Sequence, residues 1–182
     1  MFPCHQAMWL IRPGVILRKK MQDFTVGHAF LLEALESPFM LGGMVHFNDL
    51  VVAALICSMP FSKAREYLMR PLFKMQRDVQ RWALWCRFCR LDADEEMAAF
   101  KNYISAYVDS PEPWKKQGKA SKESAIPLSI RMAWVLMERM TEDEAWNCPM
   151  SRALGYYTAY AEYNGQEFMT EAQARKVGLI DG

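Results

Sequence analysis

Over residues 71–91 the chain alternates apolar and polar positions with the regularity of a helix. Leu72, Met75, Val79, Trp82, Cys86 and Cys89 follow one another at spacings of three and four, which places them in one stripe. Phe73, Trp85 and Phe88 widen that stripe on one side. Lys74, Arg77, Asp78, Arg81, Arg87 and Arg90 fill the remainder and keep it solvated. Pro71 suits a first helical turn, where its missing N–H costs nothing. The pattern predicts that helix 71–91 is the central element, its stripe buried and the other helices packed against it.

The same reading yields further helices on either side. Thr25 caps a helix to about Glu36 that buries Phe30, Leu31 and Leu35, and Ser37-Pro38 ends it, because a residue before proline avoids the α region. Gly42-Gly43 marks a turn. Asn48 caps a segment, 50–58, that is apolar nearly all round, the signature of burial on several sides. Ser62 and Glu66 bracket a short amphipathic helix. Asp92 with Glu95 has capping-box spacing and opens a helix to about Val108, burying Met97, Phe100, Ile104 and either Tyr107 or Val108. Pro127 opens helix 128–140, and Thr141 with Glu144 repeats the capping-box spacing. Asn147-Cys148-Pro149 restarts the chain as a helix that stops at Asn164-Gly165, and a last short helix is expected over 170–177.

Two stretches lack helical periodicity. Residues 1–23 carry short β-prone runs around Pro13-Gly14; since Pro-Gly prefers a type II turn, which splays two-residue hairpins, an extended arm is expected as readily as a hairpin. Residues 109–125 hold Pro111, Pro113, Trp114 and then Lys115, Lys116, Lys119 and Lys122, a basic loop longer than the usual connection of about 4–6 residues. The fold class that follows is all-α: a single domain over 1–182, a multi-helix bundle of seven or eight helices with at most a small extended element near its start.

Composition narrows the function classes. With 182 residues the chain builds one core without a second domain. Its formal net charge of +1 argues against a bulk electrostatic binder. The opening run is too broken for a secretory signal, and the most apolar stretch, 50–59, is about half the roughly 20 residues a membrane span needs. Five cysteines, an odd set without the spacing of a disulfide scaffold, point to a reducing compartment, the cytoplasm. Fourteen methionines suit adaptable cores and surfaces that accept varied partners.

Candidate chemistry is sparse. Cys86 and Cys89 have CxxC spacing after Trp85, but they lie near the end of a long helix, whereas a redox pair opens one. A zinc site would need two more ligands, and Cys57, Cys148, His28 and His46 supply none at recognisable spacing. His5, His28 and His46 accompany no nucleophile or phosphate-loop motif, and His28, in a helix's first turn, is expected to be structural. Asp92, Asp94, Glu95 and Glu96 have a sufficient explanation at a helix N-terminus. These readings predict no cofactor, no metal and no catalysis. The basic residues from Lys63 to Arg90 keep nucleic acid as an alternative partner, opposed by the acidic run that follows. The helix after Pro149 carries two stripes, Met150, Leu154, Tyr157 and Ala161 on one and Tyr156, Tyr160 and Tyr163 on the other. A tyrosine row suits protein recognition, because each ring offers a large rigid contact with a polar end, so these three are the candidate partner-binding residues.

Two segments resemble small helical proteins from the tail genes of bacteriophages and prophages. They are Phe24-Thr25-Val26-Gly27-His28-Ala29-Phe30-Leu31-Leu32 with Ser37-Pro38-Phe39, and Trp146-Asn147-Cys148-Pro149 leading to Ala161-Glu162-Tyr163-Asn164-Gly165. Some such proteins are similar to tail assembly chaperones. The resemblance implies a non-enzymatic helical protein in the bacterial host cytoplasm that holds the long tape measure protein during tail assembly and that self-associates without it. The alternative it leaves is a nucleic-acid-associated phage protein that uses the basic face of helix 71–91.

Overall fold

The computed structural model describes residues 14–108, 114–115, 126–165 and 168–169. The fold is all-α with two minimal hairpin-like pairings. A two-residue strand β1 (Val15–Ile16) pairs antiparallel with β2 (Lys19–Lys20). Nine helices follow among the described residues: α1 (Val26–Ala34), α2 (Pro38–Leu41), α3 (Phe47–Cys57), α4 (Phe61–Leu68), α5 (Leu72–Phe88), α6 (Ala93–Val108), α7 (Leu128–Met137), α8 (Glu142–Trp146) and α9 (Met150–Tyr163). Between α6 and α7, β3 (Trp114–Lys115) pairs antiparallel with β4 (Phe168–Met169) beyond α9. The rest of the expected basic loop 109–125 and the expected helix 170–177 lie outside the described residues.

The centre of the molecule is α1. It contacts α2, α3, α4, α7, α8 and α9. Val26, Gly27, His28, Ala29, Leu31 and Leu32 are all buried, and together they cover the helix nearly all round. Such a helix has its start inside the protein, so its leading N–H groups must find partners there. Thr25 caps it by accepting from the His28 N–H at 3.3 Å, and the Val26 N–H donates to the Cys148 carbonyl at 3.0 Å. The strand-like segment before it is stitched in the same way. Gln22 N–H donates to Cys57 O, Met150 N–H donates to Phe24 O, and the Tyr103 hydroxyl donates to Gln22 O, all at 2.8 Å. Phe24 is fully buried and meets Tyr103 edge-on with ring centroids 5.9 Å apart.

At Gly27 the backbone of α1 approaches the ring of Phe61 so closely that a Cβ would lie 2.3 Å from Phe61 Cδ2. No side chain fits there. The Phe61 ring is itself held against Trp146, stacked at 5.5 Å. At its far end α1 closes with Glu36 in the left-handed region (φ 52°) and the Ser37 N–H returning to the Leu32 carbonyl, leaving Leu35 exposed where burial was expected.

Helix 71–91 is not the central element. Its observed form, α5, buries only Ala83 and Cys86 and packs chiefly on α3. Met75, Val79, Trp82 and Cys89 of the expected stripe are half-buried, and Leu72, Phe73, Trp85 and Phe88 are exposed, the last at 86 %. The physical reason is that a single stripe is enough to dock a helix on one neighbour, whereas a central helix needs apolar residues all round, as α1 and α3 have.

Of the arm or hairpin expected within residues 1–23, the described part begins at Gly14 and holds a short hairpin. Val15 faces Lys20 and Ile16 faces Lys19, so the turn is Leu17-Arg18, both with positive φ (48° and 57°), as a two-residue type I′ connection requires. Leu17 is fully buried and its N–H donates to Glu96 Oε2 at 2.7 Å, which holds it in a conformation leucine ordinarily avoids. Ile16 and Met21 join it in the core. The cap of α3 differs too. Asn48 lies inside the first turn, and the capping contact is the His46 N–H donating to Asp49 Oδ2 at 2.8 Å. The Thr141–Glu144 capping box of α8 is reciprocal as expected.

This arrangement fixes an order of mutational costs. Gly27→Ala is expected to destabilise by about 1–3 kcal/mol through overpacking, and Phe24→Ala by about 3–5 kcal/mol. Trp82→Ala, at the half-buried edge of α5, should cost only about 1 kcal/mol. Chemical denaturation of the three variants checks the order; a Trp82 variant as unstable as the Phe24 variant would return α5 to the centre.

Candidate functional site

The two stripes of α9 part as their spacing requires. Met150 and Ala161 are buried, with Leu154 and Tyr157 half-buried beside them. On the other flank Tyr156 is exposed, Tyr160 half-buried and Tyr163 exposed at 88 %. That flank forms one wall of a groove of about 590 Å³ whose other wall is the end of α7 and the turn after it. Val135, Leu136 and Met140 supply its apolar surface, Ala159 leaves room between the tyrosines, and Glu138 and Arg139 stand at its rim. The groove is mostly apolar with a few polar ends, and one of those is fixed: the Tyr160 hydroxyl donates to Glu138 Oε1 at 3.3 Å. Tyr160 therefore braces α9 against α7, while Tyr156 and Tyr163 remain free to meet a partner.

The second unusual surface is the back of α5. Phe73, Arg77, Leu84 and Phe88 stand at spacings of four, seven and four, one row opposite Ala83 and Cys86, with Arg81 beside it. Phe73, Leu84 and Phe88 are all exposed. Phe73 and Phe88, expected at the edge of a buried stripe, are exposed here, and Leu84 joins them in the same row. Their spacing from one another, taken separately from the stripe, is the signal that was available.

Cys86 has the opposite electrostatics to an attacking thiol. Cys86 is buried, and that burial, followed by the neighbouring Cys89 and Glu96, pushes its thiol above the ordinary value, whereas an attacking thiol needs the anion stabilised. Cys89 is the C-cap residue just past the end of α5. Burial also raises the thiols of Cys57 and Cys148. Among the described residues no group of three His, Cys, Asp or Glu side chains is placed to hold a metal ion. Asp92 Oδ1 accepts from the Asp94 N–H at 2.9 Å and the Glu95 N–H at 3.2 Å, so that carboxylate is used in capping α6. Tyr103 and Tyr107 are held protonated, burial being the larger cause for both, with the hydrogen bond to Asp23 next for Tyr107.

His28 is a structural residue, as expected. Its Nδ1 accepts from the Thr25 N–H at 3.2 Å, and its Nε2 lies 2.8 Å from the Met59 carbonyl oxygen. A carbonyl can only accept, so Nε2 carries the proton and Nδ1 does not. This neutral tautomer joins α1 to the end of α3. His5 lies outside the described residues, and His46 caps α3 at the surface.

Comparisons with protein-family models, curated proteins and solved structures return no match for this chain. No helix among the described residues is long and apolar enough to cross a membrane.

Burial holds the pKa of His28 below its ordinary value of 6.5, partly offset by its backbone hydrogen bonds and by Asp23. Below that value the unfolded chain binds a proton at His28 that the folded chain resists, so stability present above about pH 6.5 is lost as the pH falls. Thermal melts between pH 8 and pH 5 should show a falling transition that flattens in His28→Asn; equal slopes for the two proteins would remove His28 as the cause.

Proposed function

We propose that this chain is a non-enzymatic helical binding protein whose α7–α9 groove receives a helix of an elongated client. The observation that carries the reading is the groove itself: an apolar trough walled by a tyrosine row at helical spacing, with two of the three rings outward. From Tyr156 to Tyr163 the wall runs seven residues, about 10 Å at the helical rise, the length of roughly two turns of a docked helix. A client that fits presents apolar side chains at i, i+3 or i+4, and i+7, so that each meets a ring or the Val135–Met140 wall. Tyrosine and methionine suit such a partner, one rigid and amphipathic, the other adaptable. The resemblance to tail assembly chaperones names a client of this kind, the helical tape measure protein, and a site of action in the bacterial cytoplasm.

One observation favours a second reading. The outward row on α5 interleaves Phe73 and Phe88 with Arg77 and Arg81, the combination of ring faces and cations that tracks single-stranded nucleic acid.

The two readings separate in one set of binding measurements. With a helical tape measure fragment as probe, the double variant Tyr156→Ser/Tyr163→Ser should lose at least about tenfold in affinity, as expected for anchor residues. Its thermal transition should be unchanged, since neither ring supports the core and Tyr160 keeps its bond to Glu138. Undiminished binding by that variant, or none by the parent chain, defeats the client reading. Sub-micromolar affinity for single-stranded DNA at physiological salt, lost in Arg77→Glu/Arg81→Glu, would put the second reading first.

A further inference from the structure

The surface between Tyr67 and Leu91 presents apolar and cationic side chains and no exposed acid. Phe73, Leu84 and Phe88 are 64 %, 65 % and 86 % exposed, and Met69 and Leu72 extend the apolar surface where α5 begins. Among them stand six exposed cations, Arg70, Lys74, Arg77, Arg81, Arg87 and Arg90. The one acid of the stretch, Asp78, is half-buried and lines a cleft with Tyr67 and Trp82 on another side of the helix. Glu66, just before the stretch, is outnumbered by Lys63 and Arg65. Exposed acids resume only at Asp92, after the chain has turned at Arg90 (φ 53°) towards α6. A merely solvated surface intersperses both signs and keeps large apolar groups few, and this one does neither.

The occupant follows from what each class of partner leaves unsatisfied. By helical position Arg77 lies within the row of Phe73, Leu84 and Phe88, with Arg81 on one flank and Arg87 on the other. From Phe73 to Phe88 the row runs fifteen residues, about 22 Å at the helical rise. A second copy laid on it sets arginine against arginine. An apolar helix buries Arg77 without a partner. Single-stranded nucleic acid pairs the cations and stacks on Phe73 and Phe88, but Met69, Leu72 and Leu84 offer no ring to a base. A folded acidic protein has to match carboxylates and hollows to side chains that protrude from one convex helix. An anionic bilayer supplies both chemistries along the whole row, phosphates at headgroup level and fluid hydrocarbon directly beneath, which takes a protruding side chain without a preformed hollow. The stem of Arg77 can run along that hydrocarbon while its guanidinium stays with the phosphates.

We propose that the outward face of α5 docks the protein on an anionic lipid bilayer, with Phe73, Leu84 and Phe88 entering the acyl region and Arg77, Arg81 and Arg87 held at the phosphates. The helix lies along the surface, so docking requires no membrane-spanning segment. The inference is independent of the client groove, which shares no residue with this face.

Flotation of the full chain with vesicles tests the proposal. The chain should float with vesicles of phosphatidylcholine and phosphatidylglycerol in equal parts, at least about tenfold less with phosphatidylcholine alone, and less with either as salt rises. Leu84→Ser/Phe88→Ser should weaken binding to the mixed vesicles by at least about tenfold, because the buried apolar area is lost. Its thermal transition should match the parent's, both side chains being exposed in the free chain. Arg77→Gln/Arg81→Gln should weaken binding as well, and Tyr156→Ser/Tyr163→Ser should float as the parent does. The proposal is overturned if the chain does not float with the mixed vesicles, if the Leu84/Phe88 variant floats undiminished, so that surface cations alone account for the attraction, or if the tyrosine variant loses as much. Oligothymidylate that displaces the chain from the mixed vesicles would give the face to nucleic acid instead. A dimer of the free chain that Leu84→Ser/Phe88→Ser breaks would give it to a second copy.

Discussion

The structure depends on one constraint: α1 begins in the interior, so its first N–H groups have no water to turn to. Burying a peptide group without a partner costs a large fraction of a domain's stability. A distant segment and a local cap meet that need: Cys148 supplies a carbonyl to the Val26 N–H, and Thr25 accepts from the His28 N–H. The residues just before the helix are tied to distant segments at the same place, Gln22 to Cys57 and Tyr103 and Phe24 to Met150, so the stretch that starts α1 also fixes where α3, α6 and α9 sit. His28 completes the set. Its two ring nitrogens have opposite duties, accepting from Thr25 and donating to Met59, which only the neutral imidazole can perform together.

Close packing around α1 explains residues that carry no chemistry. Gly27 is present because the Phe61 ring occupies the space of a side chain, and Phe61 is there because Trp146 backs it. Trp146 also meets Phe30 with centroids 5.1 Å apart, so one indole joins α1 to α4. On the opposite side Phe24, Phe100, Tyr103 and Tyr107 form a continuous aromatic layer whose hydroxyls reach Gln22 and Asp23. The layer is apolar where it is deep and polar where it meets the segment before α1. Tyrosine there fills the core and satisfies backbone at once.

Much of this was legible in the sequence, and most of what was not depends on distant parts of the chain. Capping chemistry is local, so Thr25, Asp92, Thr141 and the Asn164-Gly165 stop could be placed from neighbouring residues alone. Periodicity within one helix is local as well, and it correctly divided α9 into a core stripe and a tyrosine stripe. Centrality is not local. The clean stripe of α5 reports one neighbour, while α1, with a glycine and a histidine among its buried residues, shows no stripe because every side of it is covered. The place of the hairpin's turn was not legible either. Its turn is Leu17-Arg18, without the glycine or asparagine that marks a type I′ connection, and what stabilises it is Glu96, some eighty residues away in sequence. Tyr67 of α4 is buried with a hydroxyl that has no hydrogen-bond partner, and that could not be read from the sequence, since being unpartnered is a property of the assembled fold.

Because α1 takes the centre, α5 is left with α3 as its chief neighbour and an exposed back. That back differs in kind from the α7–α9 groove. In the groove the ionisable groups stand at the rim and one of them is already bonded to Tyr160, so a partner can lay apolar side chains inside without stripping water from an isolated charge. On α5, Arg77 lies in the same row as Phe73, Leu84 and Phe88, and covering the row desolvates its guanidinium. Only a surface that brings an acidic group into the middle of an apolar contact offsets that cost. A second copy placed antiparallel along the same row brings more arginine and no acid. The two faces therefore differ in what they could accept on the proposed reading: an apolar helix suits the one, and only an anionic surface the other.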